Sequence, residues 1–367
     1  MIAHMTEALS WAAIGERVRE SRASVKLSQQ ELADRIGLER SMISKLETGD
    51  RRIDAMELTL IARELDYPVS HFLTPSPELV SRRASAVADS GEVGETNTTR
   101  AAYRTESLLA AWLRDVRQLV DTGLLENRPI LRYANTVPDK VGAREAALWL
   151  RTELGLGREP IESVADTCER SGQFVAVLPL DTDGASLVDG DISVAVVNAR
   201  LEPGRKRSTA AHELGHMVLG DEFSSDLGVH ASRDEREAVI EAFAAEFLLP
   251  HDQMRTVGGR KGQEERRQEL IRLSATYRVS WSLALAQLRH TDTVDRDFLN
   301  WMRARTPTAV EFKDALGWKP LPDLDKIRVS PRYASAVMAA VRGHEITKHR
   351  AVEMMRGEIT LEDLTEE

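Results

Sequence analysis

The chain has 367 residues, 42% of them hydrophobic and 29% charged, a length that predicts two or three domains rather than one small core. A formal net charge of −10 gives no overall attraction to nucleic acid or to an anionic membrane, so any DNA contact has to come from a local patch. The single cysteine, Cys168, excludes an internal disulfide and a cysteine-rich zinc site. With no signal-peptide pattern near the N-terminus and no apolar run long enough for a bilayer, a cytoplasmic, soluble protein is expected.

Residues 14–73 place apolar side chains at helical spacing, among them Ile14, Val18, Leu32, Ile36, Ile43, Leu46, Leu58, Ile61 and Leu65. Ser28 followed by Glu31 is a capping-box start, and Gly37 and Gly49 are stop signals. Two short helices meeting at Gly37 present Arg40, Ser41, Ser44 and Lys45 outward, toward a major groove. Arg40 suits guanine edges, and Gln29 stands at a helix start within reach of a phosphate or a base. Arg51 and Arg52 suit backbone contacts. The run from Leu27 to Gly49, with Ser28-Gln29 opening one helix, then Gly37, Ile43-Ser44 and Glu47 two before Gly49, resembles the Xre/Cro-type helix-turn-helix. The resemblance implies a five-helix DNA-binding domain over residues 1–74, with Arg22 and Glu47 at the positions of a structural pair. Charge argues the other way: ten Lys/Arg and eleven Asp/Glu over residues 14–73 leave −1, and Glu39 repels phosphate. The bland reading is a helical bundle for protein contacts or dimerisation.

Thr74, Pro75, Ser76 and Pro77 break the pattern, and residues 75–100 read as a flexible linker. Helical periodicity resumes over 106–120, 143–154 and 161–170. The period then changes: residues 174–178 and 192–197 are β-branched runs separated by a Gly/Asp-rich turn region. Asp181-Thr182-Asp183-Gly184 superficially resembles the start of a calcium loop. It lacks the downstream Glu and reads as a turn. Helices follow over 205–219, with Ser208 and Thr209 at its start and Gly220 at its end, and over 234–249, ending at Pro250. Arg205-Lys206-Arg207 reads by default as a solvated helix start.

His212-Glu213-Leu214-Gly215-His216 carries the chemistry. Histidines four apart lie on one helix face, where both can reach one Zn²⁺, and Glu213 flanks the metal as a base for water. With 9 histidines in the chain, chance produces His-Glu-x-x-His only about 0.02 times. The flanks Ala210-Ala211 and Met217-Val218-Leu219 are apolar, so the helix is expected to be buried, and unpaired buried histidines are costly. A third ligand is needed. The metzincin layout fails, because Leu219 and Glu222 stand where its glycine and ligand belong. A Glu from the next helix is the remaining arrangement, and spacing leaves Glu237 and Glu241 as rivals. His230 and His251 are further alternatives whose default reading is a solvated loop.

His212 to His216, followed by Glu237 and by Phe243-Ala244-Ala245-Glu246-Phe247-Leu248-Leu249-Pro250, resembles the ImmA/IrrE family of bacterial metallopeptidases over residues 161–250. The resemblance implies a gluzincin-type zinc metalloendopeptidase with Glu237 as third ligand. The family usually has Asn or Asp where this chain has Glu241, and often His where Gly220 stands. Neither change removes a ligand, but the group behind the ligands is altered.

Beyond residue 262 the chain reads as mostly helical, with helices over 285–301 and from 329 onward. The latter breaks at residues 343–347, where Thr347 is a cap. Trp281 and Trp301 read as core. The expected architecture is therefore α+β and predominantly helical. It comprises the helix-turn-helix domain (1–74), the linker (75–100), a gluzincin-like peptidase domain with a small β-sheet (101–290) and a helical C-terminal region (291–367). The expected function is a DNA-binding regulator whose Zn²⁺ peptidase cleaves a partner repressor or antitoxin in a stress, phage or toxin–antitoxin circuit. The alternative is a transcription factor or antitoxin-like protein whose zinc domain is a non-catalytic sensor or scaffold. Operator DNA, a protein substrate and a second copy of the chain are the expected partners, with no membrane.

Overall fold

The computed structural model describes residues 10–65, 67, 69–73, 81–83, 94–220, 230–290, 294–317, 323–324 and 329–364. Among the described residues five helices form the N-terminal domain: α1 (Trp11–Ser24), α2 (Gln29–Ile36), α3 (Arg40–Glu47), α4 (Ala55–Leu65) and α5 (Val69–Leu73). The expected capping box is present: the Ser28 side chain accepts from the Glu31 amide, and the Glu31 carboxylate accepts from the Ser28 amide. Gly37, at φ +73°, makes the left-handed turn that ends α2. Ile14, Val18, Leu32, Ile43, Leu46, Ile61 and Leu65 close a small core between these helices. Arg22 donates from Nε and Nη2 to the two Glu47 carboxylate oxygens at 2.6 and 3.1 Å, tying α1 to the end of α3.

Strand β1 (Ser81–Arg83) precedes a long helix α6 (Gly94–Asp121), which begins inside the stretch expected to be linker. Then come α7 (Lys140–Glu153), α8 (Val164–Arg170), β2 (Gln173–Leu178), β3 (Gly184–Asp189) and β4 (Ile192–Asn198). The sheet order is β1-β3-β4-β2, with β2 parallel to β4 and the other pairs antiparallel. The region between the two expected strands is thus more than a turn. It contains β3, which carries no strand signal because Gly184-Ala185-Ser186 is small and polar rather than β-branched.

Helices α9 (Pro203–Val218) and α10 (His230–Leu248) follow, then a 3₁₀ turn (His251–Met254) and α11 (Arg255–Gly258). The chain continues through α12 (Gln263–Tyr277), α13 (Trp281–Arg289), α14 (Arg296–Arg303) and α15 (Ala309–Leu316) to α16 (Pro331–Arg342) and α17 (Lys348–Met354). Among the described residues the sheet divides two cores. Val175, Val177, Ala195 and Val197 face α7, α8, α9 and α10, while Phe174, Ala176, Val194 and Val196 face α6, α16 and α17. Burial on both faces is why these strands read as unbroken apolar runs instead of alternating ones.

Several expectations are corrected by this packing. The 205–219 helix starts earlier, at Pro203 after Glu202, so Ser208 and Thr209 lie inside it rather than at its start. Arg205-Lys206-Arg207 is not a solvated start: Lys206 and Arg207 are buried. Arg207 bonds Asp323 at 2.5 Å and the Ile161 carbonyl at 2.8 Å, a pair that fixes α9 to the segment before α8. The helix expected over 285–301 is two, because Asp295 caps a fresh start by accepting from the Phe298 amide at 2.7 Å. The C-terminal region also splits. Phe298, Leu299 and Met302 join the core around α9, whereas Tyr333, Val337 and Met354 join the core on the opposite face of the sheet. Asp115 on α6 pairs with both Arg350 and Arg356 and holds that second group in place. Thr347 does cap α17. Trp281 is buried, while Trp301 is partly exposed beneath Arg305.

His71 joins the N-terminal domain to α6. Its Nε2 lies 3.0 Å from the Ser21 hydroxyl and its Nδ1 2.8 Å from the Ser107 hydroxyl, with Tyr67 stacked on the ring at 4.6 Å. Burial, and then the Arg17 charge, push this imidazole down to about 4. A base held below its unfolded value binds its proton later in the folded state. Stability is therefore full above about pH 6.5 and is lost as pH falls toward 4, by about 1–3 kcal/mol. His71→Gln, which cannot take up the proton, is expected to flatten the dependence of urea unfolding over that range; an unchanged slope would assign the acid sensitivity elsewhere.

Candidate metal centre and DNA-facing helix

Helix α9 is buried around nearly its whole circumference: from Thr209 to Val218 every residue is inaccessible. Ala210, Ala211, Leu214, Met217 and Val218 account for the apolar part. His212, Glu213 and His216 are the polar groups buried with them, at 1%, 0% and 2% exposure. Such groups are tolerated only if they have partners. The two imidazole Nε2 atoms lie 3.1 Å apart. Glu237 Oε2 of α10 lies 3.1 Å from His212 Nε2 and 4.0 Å from His216 Nε2. Among the described residues these three side chains form the one group of three His, Cys, Asp or Glu with donor atoms all within 4.8 Å. Two imidazoles bound to one tetrahedral zinc at about 2.0–2.1 Å place their nitrogens roughly 3.3 Å apart, so the donor set fits that ion. Glu241, the rival third ligand, is one turn further on and lines a separate cavity with Lys140 and Arg144. His251 donates its backbone amide to Glu246 and pairs with the same carboxylate through Nδ1 at 2.9 Å. The side chain of His230 lies outside the described residues.

Glu213 points to the sheet side of the same helix. Ser186 of β3 donates its hydroxyl to Glu213 Oε2 at 2.7 Å, leaving Oε1 buried with no hydrogen-bond partner among the described residues. Gln173 at the start of β2 donates its amide to the Glu213 carbonyl at 3.2 Å. The carboxylate is thus held by one oxygen and open at the other, as a proton-accepting base requires. The would-be calcium loop is engaged as well: Asp183 is buried and bound by Arg205 at 2.5 Å.

What brings Glu237 to the histidines is the crossing of α9 and α10 at Gly215. A Cβ on Gly215 would stand 2.9 Å from the Phe243 ring and 3.1 Å from Ile240, so a larger residue here has to displace these α10 side chains. Ser186 carried no sequence signal, since its role depends on the register of β3. Gly215 stood inside the motif as the one residue there whose small size had no chemical reading.

In the N-terminal domain Arg40, Ser41 and Lys45 are exposed along the outer face of α3, Ser44 is half-buried and Arg52 is exposed. Gln29 and Arg51 are already engaged. Gln29 donates to Glu47 at 2.7 Å, and Arg51 makes a two-pronged pair with Glu57 at 2.5 and 2.9 Å. Glu39 accepts from Ser41 at 3.3 Å, so the acidic residue sits within the face expected to meet phosphate.

Two family models match the chain: the helix-turn-helix over residues 18–72, and the IrrE N-terminal-like domain of peptidase family M78 over residues 168–289. The chain carries both domains. It is similar to an "uncharacterized transcriptional regulator in ATPase CF(0) region" of Rhodospirillum rubrum, 41% identical over 63 residues, 17% of this chain and 58% of that protein. An "uncharacterized HTH-type transcriptional regulator" of Sinorhizobium medicae strain WSM419 is 34% identical over 64 residues, 17% and 46% of the two chains. The chain spans about half the length of these curated relatives. Bacillus thuringiensis PlcR, solved with the peptide PapR7 and DNA, aligns with 97% of the chain and 96% of its own at 12% identity and a TM-score of 0.18, too low to support an argument. No helix among the described residues is long and apolar enough to cross a membrane.

The IrrE-like domain therefore places its motif helix against α10 at Gly215. Gly215→Val is expected to push α10 outward, lower stability by about 1–3 kcal/mol through overpacking, and abolish stoichiometric zinc in metal analysis. A variant that stays folded and binds zinc at unchanged affinity would show that the crossing does not position Glu237.

Proposed function

We propose that this chain is a DNA-binding regulator whose IrrE-like domain is a zinc-dependent peptidase acting on a partner repressor or antitoxin. The observation that carries the reading is the convergence of His212, His216 and Glu237, with Glu213 on the same helix turn holding one carboxylate oxygen unengaged. Zinc in that position would act as a Lewis acid toward a peptide carbonyl and make a water acidic near neutral pH. Glu213 then serves as the base, taking a proton from the attacking water and returning it to the leaving amine. Ser186 and Gln173 hold Glu213 in place from below. Glu237 has a 34% exposed side chain whereas the histidines are closed off, so substrate approaches from the Glu237 side.

At the other end, Arg40 and Lys45 are the side chains we assign to operator DNA, with Ser41, Ser44 and Arg52 beside them. Gln29 and Arg51 support that surface through Glu47 and Glu57.

One observation favours a second reading, in which the zinc domain is a sensor or scaffold without turnover. His212 Nδ1 is buried with no hydrogen-bond partner among the described residues, and zinc-binding imidazoles ordinarily donate that proton to an acceptor that fixes the ring. Glu241 stands where the family usually has Asn or Asp, and it lines a separate cavity.

The two readings separate in one set of measurements. Wild type and Glu213→Gln are expected to bind one zinc each and Glu237→Ala to bind it at least tenfold more weakly, while only wild type cleaves a co-encoded repressor or antitoxin. Stoichiometric zinc with every such candidate left intact would favour the sensor reading. For DNA, Arg40→Ala should cost about 1–3 kcal/mol and relax preference at one base pair, whereas Lys45→Ala should weaken all sequences alike and reduce the salt slope by about one. If neither substitution changes binding in gel-shift titrations, the N-terminal domain returns to a protein-contact role.

A further inference from the structure

On the far side of α10 from the two histidines lies a cavity of about 520 Å³ between α7, α10, α13 and α14. None of His212, Glu213, His216 and Glu237 lines it. Its floor is small and apolar, built from Ala238, Ala242 and Ala245 of α10 with Leu285 and Ala286 of α13. Its rim is basic: Lys140, Arg144, Arg289, His290 and Arg303 stand around it, and Glu241 is the one acid on the wall. A neighbouring cavity of about 440 Å³ shares Arg289 and Arg303 and adds Arg296 and Leu299.

These cations are not balanced locally. Arg144 lies 4.0 Å from the buried Glu246. Among the described residues Lys140, Arg289 and Arg296 make no ion pair, and Arg303 reaches only the Asn300 side-chain oxygen at 3.5 Å. With Arg144 set against Glu246 and Glu241 against one cation, Lys140, Arg289 and Arg303 leave two net positive charges around the first cavity. The field is felt by His290, whose imidazole is pushed down by partial burial and then by Arg144, Arg289 and Lys140. In a chain of net charge −10, such a concentration in a concavity needs a reason. Crowded, unpaired cations repel one another and are relieved by an anion.

We propose that this cavity binds a small phosphate monoester with an apolar body. The charge fits, since a phosphate monoester carries about −1.5 to −2 at neutral pH, where a carboxylate carries one. Two arginines supply planar donor forks suited to phosphate oxygens. The volume lies in the range of small-ligand pockets, and the alanine floor accommodates a flat ring or short chain. A concave site of this size suits a small molecule better than the convex backbone of a duplex.

The test uses the full chain with calorimetric titration of adenosine 5′-monophosphate, inorganic phosphate and a 20-base-pair duplex. Saturable nucleotide binding with one site is expected, competed by inorganic phosphate, and weakened at least tenfold in Arg289→Ala/Arg303→Ala. Because both arginines are exposed, their loss should leave the melting temperature unchanged. Ala286→Trp, which fills the cavity without altering charge, should weaken nucleotide binding as well. No saturable binding of either phosphate probe, or nucleotide binding that the double variant retains, overturns the proposal. So does duplex binding that depends on Arg289 while the nucleotide is silent, which would make the patch a nucleic-acid surface.

Discussion

The contact of α9 with α10 at Gly215 is the constraint on which the arrangement of the IrrE-like half depends. Two histidines on one helix define a half-site only; a third donor has to arrive from elsewhere in the fold. Helix α10 supplies it, but a side chain as short as glutamate reaches the imidazoles only if the helix axes approach closely. Gly215 removes the Cβ that would hold them apart, and Phe243 and Ile240 fill the space released. Arg236 adds a second restraint by donating to the Val137 carbonyl at 2.7 Å, which holds this part of α10 against the segment leading into α7. Metal-site geometry and core packing are therefore one problem here, solved by one missing methyl group.

The sheet performs a second separation. Its face toward α9 carries the site, with β3 placing Ser186 under Glu213. Its other face is covered by α6 and by the C-terminal helices α16 and α17, anchored through Asp115. Burial of both faces leaves β2, β3 and β4 without an exposed apolar surface and makes them a rigid floor for the motif helix. The C-terminal region has a structural purpose in this light: without α16 and α17 the apolar side chains Phe174, Val194 and Val196 would be covered by α6 alone.

Charge is distributed unevenly on a chain that is acidic overall. The outer face of α3 exposes Arg40 and Lys45, and the rim of the cavity between α7, α10, α13 and α14 carries Lys140, Arg144, Arg289 and Arg303. Elsewhere arginines are largely consumed internally: Arg22 by Glu47, Arg51 by Glu57, Arg205 by Asp183 and Arg207 by Asp323. The arginines left unpaired on the surface are thus more informative than the total count.

The sequence by itself determined the local elements whose causes are local. The capping box at Ser28, the turn at Gly37, the β-branched strands and the His212–His216 spacing all follow from residues within a few positions of one another, and so does the pairing of two domains that their motifs announce. Tertiary structure decided the remainder, because each feature depends on residues far apart in the chain. Spacing left Glu237 and Glu241 equivalent and only the family resemblance preferred Glu237; the packing of α9 on α10 is what brings the Glu237 carboxylate among the histidine nitrogens. Tertiary structure placed Ser186 by the register of a strand too polar to be recognised. It buried Lys206 and Arg207, which look solvated until Asp323 is folded against Arg207. It engaged Gln29 and Arg51 in internal bonds, since their partners Glu47 and Glu57 come into reach only when the helices pack.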